Sequence, residues 1–359
     1  GPAHGREEAI ETLAHRLRNT VNNKTRLTTF HKLCLLGTIL AFCVIVLGAY
    51  VRLSHAGLGC PDWPGCYGHL TAGQAAENHP ASNAAFPERP VEYAKALKEM
   101  LHRYLATTLG IVILVIGALA WRNRQDPLQP VRMPLAVIGL VIFQGLLGMW
   151  TVTLLLKPAI VSAHLAGGLT TMALLWWMSL QVTRGSRPQS EDGLRRWAVL
   201  GMVVLVAQIL LGGWVSSNYS AVACPDFPTC QRSYWPTMDF KDAFVLWRGL
   251  GIDYEGGVLD HPARVAIHFT HRLGAIVAAL ILGWVAWKAV RTGQSAGVRT
   301  AGVALALALV TQWLVGSIMV LKTFPLPLAT AHNAVAALLV LAMVALLRFL
   351  FPPRGSGVY

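Results

Sequence analysis

The sequence predicts an all-α integral membrane protein of eight transmembrane helices, built as two tandem four-helix bundles related by a pseudo-twofold along the membrane normal. Three observations carry this expectation: a shortage of charge, eight long apolar runs, and a set of landmarks that recurs in order. Of 359 residues, 54% are hydrophobic and 13% charged, with a mean hydropathy of +0.50. A soluble domain carries about a quarter charged residues. Crossing the hydrocarbon layer takes roughly 20 predominantly apolar residues. Such runs stand at about 33–52, 103–121, 133–153, 162–182, 196–216, 266–287, 301–321 and 329–350.

Charge orders these runs across the bilayer. A net charge of +13 raises the question of nucleic acid, but the cations gather beside alternate ends of the runs, as the positive-inside rule predicts. Arg6, Arg16, Arg18, Lys24, Arg26 and Lys32 precede the first run. Arg122, Arg124 and Arg132 follow the second. Arg184, Arg187, Arg195 and Arg196 follow the fourth, Lys288, Arg291 and Arg299 the sixth, and Arg348 and Arg354 the eighth. The other connections are long and mixed in sign; the fifth contains Asp226, Asp239, Asp242, Asp253, Glu255 and Asp260. Both termini are therefore expected in the cytoplasm, in a multi-pass protein of the bacterial inner membrane whose partner is lipid and not nucleic acid. The first run is too long for a signal-peptide core and lacks a small-residue cleavage site, so it reads as a retained span.

The halves align by landmark. GAYVRLSHAGLGCPDWPGC (48–66) follows the first run and GGWVSSNYSAVACPDFPTC (212–230) follows the fifth. HRYLATTLG opens the second run and HRLGAIVAA the sixth; FQGLLGMWTV lies in the third and TQWLVGSIMV in the seventh; SAHLAGG opens the fourth and TAHNAVA the eighth. Each unit has an even number of spans, so the copies share one orientation, as parallel repeats do. The expected organisation is a cytoplasmic tail at 1–32, an N-terminal four-helix unit at 33–182, a cytoplasmic linker at 183–195, a C-terminal unit at 196–350 and a tail at 351–359.

Twelve histidines occur. His4, His15 and His31 fall in the basic tail, and His69, His79 and His261 in polar loops. His102, His164, His271 and His332 occupy matching places at the outer openings of the even-numbered spans. One intramembrane histidine is most simply a packing residue, but a repeated pair per unit suits two imidazoles approaching one iron within a bundle core. Zinc wants four ligands, or three and water, and no cysteine or carboxylate completes such a set here. Small residues nearby (Gly110, Gly167, Gly168, Gly274) leave room for a flat macrocycle. The reading is two heme sites, His102 with His164 and His271 with His332. Arg103 and Arg272 serve equally as interfacial anchors or as partners for porphyrin carboxylates.

The halves differ three residues before these histidines, where Glu99 faces His268 in the alignment. Glu99 shares a helix face with His102. A carboxylate there acts as a base, stabilises positive charge, or merely complements the helix dipole. His55 likewise has Tyr219 as its counterpart. Cys60 with Cys66 and Cys224 with Cys230 lie in the two outer loops, where an oxidising compartment permits disulfides, whereas Cys34 and Cys43 lie within the first span.

Taken together, E-M-L-H-R (99–103), S-A-H-L (162–165), T-H-R-L-G (270–274), T-A-H-N (330–333) and the cysteine pairs make the chain resemble the heme A synthase family over about residues 33–350. The resemblance implies an oxidoreductase that turns the C8 methyl of heme O into the formyl group of heme A by successive hydroxylations, for cytochrome oxidase assembly. It implies that His102 and His164 bind the substrate heme, that His271 and His332 hold heme b, and that Glu99 is the catalytic carboxylate. Heme O synthase and the oxidase assembly machinery would be partners, with a quinone or another electron acceptor. A diheme cytochrome b that only carries electrons would use the same histidines without needing Glu99.

Overall fold

The computed structural model describes residues 2–181 and 189–353, with side chains from residue 27 onward. Arg184, Arg187 and residues 183–188 of the expected 183–195 linker, Arg354 in the expected C-terminal tail, and the N-terminal side chains up to Arg26 lie outside the described residues. Eleven α-helices follow in order: α1 (Pro2–Leu53), α2 (Ala72–Glu77), α3 (His79–Ala85), α4 (Tyr93–Arg122), α5 (Arg132–Thr153), α6 (Pro158–Ser179), α7 (Asp192–Ser217), α8 (Phe240–Ala243), α9 (His261–Thr292), α10 (Ala296–Leu321) and α11 (Leu326–Leu350). Among the described residues there is no strand, only isolated bridges Cys66–His69 and Cys230–Ser233.

Eight helices are long and apolar enough to cross a membrane, the first counted from Leu27. Their outward residues confirm where they sit. Ile39, Ile111, Ile142, Val203, Leu280 and Leu307 are each more than half exposed in the middle of spans. Water would not tolerate such a continuous apolar surface; hydrocarbon does. Helix starts follow local chemistry, with proline in the first two positions of α6, α9 and α11, where its missing N–H costs nothing. A capping box of Thr71 and Gln74 opens α2.

Packing closes two rings. In one, α1 meets α4, α4 meets α5, α5 meets α6 and α6 returns to α1; in the other, α7, α9, α10 and α11 close likewise. In each ring the second and fourth helices stand on the diagonal. The rings join where α1 packs on α11, α6 on α7 and α6 on α11. Trp176 Nε1 donates to the Leu341 carbonyl across this seam at 3.0 Å, while within the second ring Arg195 on α7 donates to the Leu350 carbonyl of α11 at 2.9 Å. The long connections after α1 and α7 lie at one face, called here the loop face.

Several expectations shift. Helix α1 runs unbroken through the stretch expected as a tail, and His31 is part of it, its Nδ1 2.8 Å from the Met178 carbonyl. His79 and His261 begin α3 and α9 and are not loop residues. Helices α4 and α9 start well before the apolar runs they contain, because polar turns on the loop face extend them. The four matching histidines thus lie inside their helices and not at the first turn.

Candidate functional site

The site is built on the diagonal helices. His102 on α4 and His164 on α6 face across the first ring, within electrostatic range of one another. His271 on α9 and His332 on α11 do the same in the second. Each imidazole rests against a glycine of a neighbouring helix. A Cβ at Gly48 would lie 2.8 Å from Cε1 of His102, at Gly148 3.6 Å from that of His164, at Gly212 3.2 Å from that of His271, and at Gly316 3.0 Å from that of His332. These glycines let the Cε1 edge of each ring come up against helix backbone. Sequence reasoning singled out other glycines. Gly167 and Gly274 are covered by the Gln144 and Gln208 side chains, and only Gly110 faces open space. The glycines that do receive the rings are the leading ones of the GAYV and GGWV motifs and those four residues after Gln144 and Gln312.

Glutamines complete the surroundings. The Gln208 amide donates to the His271 carbonyl at 2.9 Å and lies 3.1 Å from its Nδ1. The Gln312 amide lies 3.2 Å from Nε2 of His332. Gln208 went unnoticed because Val44 stands at its matching position. The Nδ1 atoms of His102, His164 and His332 are buried without a hydrogen-bond partner. Among the described residues no three His, Cys, Asp or Glu side chains gather as a metal site. Paired, half-buried imidazoles, three of them with a buried unpartnered Nδ1, and glycine-lined flanks fit an iron porphyrin, which would take two imidazole ligands and no more.

The residues beside the histidines serve the loops. Glu99 is buried; one oxygen accepts from Arg103 Nη2 at 2.5 Å and the other from the Cys60 N–H at 2.9 Å. Arg103 Nη1 donates to the carbonyls of Asp62, Pro64 and Gly65. In the second half Arg272 donates to the carbonyls of Asp226, Thr229 and Cys224, and its Nε lies 3.3 Å from His268 Nε2. Both arginines therefore clamp a disulfide loop onto a helix that carries one of the four histidines, a role that neither interfacial anchoring nor carboxylate pairing anticipated. Glu99 sits at this clamp, one helical turn from His102.

Both cysteine pairs form disulfides, Cys60–Cys66 and Cys224–Cys230. The aspartate between them explains the shared Cys-Pro-Asp motif. Asp62 accepts the N–H groups of Tyr67 (2.6 Å) and Gly68 (2.8 Å); Asp226 accepts those of Gln231 (2.6 Å) and Arg232 (2.9 Å), and the Thr229 hydroxyl. What desolvation raises in Asp226 these donors more than reverse, holding its carboxyl below the ordinary value of 3.8. Gly59 permits the closest approach of the first loop, since a Cβ there would meet the Lys95 carbonyl carbon at 2.6 Å. Cys34 is buried and Cys43 exposed, both as free thiols.

The fold and its couples define a multi-pass helical membrane protein with paired imidazoles set between diagonal helices. Comparison with known proteins narrows the class. The COX15-CtaA family, cytochrome oxidase assembly protein, matches residues 31–344, and the chain belongs to that family. Among its relatives is a heme A synthase of Shewanella oneidensis, 40% identical over 337 residues, with 92% of this chain and 98% of the relative covered. Heme A synthases of Caulobacter vibrioides and Rhizorhabdus wittichii are each 26% identical, covering 84% and 86% of this chain and 90% of each relative.

Proposed function

We propose that this chain is a membrane oxidoreductase that converts heme O to heme A, oxidising the C8 methyl by successive hydroxylations in support of cytochrome oxidase assembly. The relatives' shared name supports the reaction. The observation that carries it to particular residues is an asymmetry: Glu99 stands one turn before His102, where His268 stands one turn before His271. On this reading His102 and His164 seat the substrate, heme O, and His271 and His332 hold a resident heme b. The resident heme supplies one-electron redox chemistry. Glu99, pinned by Arg103 and the Cys60 N–H, presents a fixed negative charge beside the first couple. Held in a dry site, such a charge stabilises positive charge developing at the methyl group and needs no reorganisation to do so.

The charge pattern supports a cytoplasmic location for both termini, with the loop face on the outer side of a bacterial inner membrane, where disulfides persist. A quinone or another acceptor takes the electrons, and heme O synthase and the assembling oxidase stand on either side of the reaction. Paired loop disulfides, left-handed residues at His55 and Tyr219, and two closed rings support duplication about an axis along the membrane normal.

The test is Glu99→Ala in protein with unchanged heme content, with bound pigment extracted and identified by mass. Output of heme A is expected to disappear. Unaltered output would remove Glu99 from the chemistry, and bound pigment without heme A in the unaltered protein would favour the alternative, a diheme cytochrome b that passes electrons without modifying heme.

A further inference from the structure

We propose that Arg52 and Tyr219, backed by His55, form a carboxylate seat at the seam between the two rings that takes a propionate of a bound porphyrin. The proposal rests on the heme reading above and deepens it.

Arg52 stands in the last turn of α1, and His55 and Tyr219 lie just beyond the ends of α1 and α7. His55 and Tyr219, which match in the alignment, leave their helices in the left-handed region, at φ 53° and 52°. Their rings stack at 5.7 Å between centroids and 18° between planes. The Arg52 guanidinium lies over the Tyr219 ring, 4.2 Å from its centroid. Arg52 Nη2 donates to the carbonyls of Ser216 (2.9 Å) and Ser217 (3.4 Å). Two donors of this stacked group are left over. Arg52 Nε and the Tyr219 hydroxyl are buried and have no hydrogen-bond partner.

A half-buried guanidinium and a half-buried phenol, each with one buried and unpartnered donor, call for an acceptor with negative charge and two oxygens. A carboxylate meets that demand. The depth is right for a porphyrin. Gly48 touches His102 and Gly212 touches His271. Arg52 and Ser216 each lie four residues further along the same helices, roughly 6 Å toward the loop face. An amphipathic macrocycle gripped by the couples turns its carboxylate edge toward that polar face. Arg103 and Arg272 are poorly placed to receive it, because their terminal nitrogens are held on loop carbonyls and, for Arg103 Nη2, on Glu99. The halves differ here too: Ser216 stands where Arg52 does, so one guanidinium serves the seam.

Full-length protein produced without heme is titrated with ferric protoporphyrin IX and with its dimethyl ester, following the six-coordinate low-spin spectrum. Wild type is expected to prefer the free acid by about tenfold or more. Tyr219→Phe keeps the ring stack and removes only the hydroxyl, and Arg52→Gln removes the charge. Each is expected to lose most of that preference while ester affinity stays put. A preference retained in Tyr219→Phe, or equal weakening of acid and ester, would overturn the seat and leave a purely structural seam. A wild type that binds both porphyrins equally also overturns it. If wild type gives no six-coordinate spectrum with either porphyrin, the heme reading itself fails.

Discussion

At the scale of single residues, the imidazoles and the glycines beneath them form one device. A histidine in a bundle core reaches a shared centre only if its ring is held at one angle, and a helix backbone without a side chain is the flattest support available. A valine at Gly48 would drive its side chain into the His102 ring, and one at Gly212 into the His271 ring. Overpacking of this kind costs about 1–3 kcal/mol, and a ligand displaced by an ångström costs activity on the order of a hundredfold. Gly48→Val is expected to abolish the bis-imidazole signature of the first couple alone, and Gly212→Val that of the second. Reduced-minus-oxidised difference spectra resolve the two; a normal spectrum in both variants would mean the glycines do not set ring position. The histidines and cysteines were legible in the sequence because their chemistry is rare in an apolar helix. Their glycine supports were hidden among 33 glycines, and nothing but the facing helix tells which of these matter.

At the scale of elements, each loop is a closed unit. The disulfide draws the turn together, the aspartate binds the N–H groups beyond it, and the arginine of the next helix binds its carbonyls. Asp226 makes the unit sensitive to acid in a defined direction. Its folded pKa lies below the unfolded value, so the folded loop prefers the ionised form. That stability is complete above the ordinary value of 3.8 and is lost as pH falls through the lower folded pKa. The amides of Gln231 and Arg232 are expected to keep constant protection factors from neutral pH to about 4 and to lose protection below it. Hydrogen exchange across that range, with Asp226→Asn for comparison, checks this. Protection lost already near neutrality would exclude the carboxylate as its source. The Cys-Pro-Asp repeat announced two equivalent loops, but the arginine clamp was invisible, because its acceptors are backbone carbonyls that no side-chain pattern encodes.

For the whole molecule, the question is what joins the halves at the loop face. The long segment after α8 crosses from the second half to the first. Lys157, 2% exposed, donates to the carbonyls of Arg248 and Gly249 at 2.5 and 2.6 Å and lies 3.7 Å from the centroid of Trp247. The Tyr254 N–H donates to the Leu155 carbonyl at 3.1 Å. Arg89 adds ion pairs to Asp253 (2.7 Å) and Glu255 (2.9 Å). These contacts are unequal in weight. Exposed ion pairs contribute about 0–1 kcal/mol, whereas each hydrogen bond from a buried charged donor such as Lys157 contributes about 1.5–3 kcal/mol. Lys157→Met is therefore expected to lower Tm and speed exchange across residues 248–254, and Arg89→Ala to change either little. Equal effects of the two substitutions would show that the buried lysine is not the principal link.

By itself the sequence determined the membrane class, the eight spans, the disulfide pairs and the four histidines worth watching. Each of these depends on composition, or on a residue type whose cost in an apolar setting is its own signal. Only the tertiary structure decided which helices stand on a diagonal, which glycines receive the rings, and that Glu99 and both arginines grip loops. Those outcomes depend on which backbone faces which, and a facing backbone leaves no trace in the one-dimensional pattern. The Arg52–Tyr219 stack shows the same division: the residues are plain in the sequence, and their meeting across the seam exists only once two helices distant in the chain are packed together.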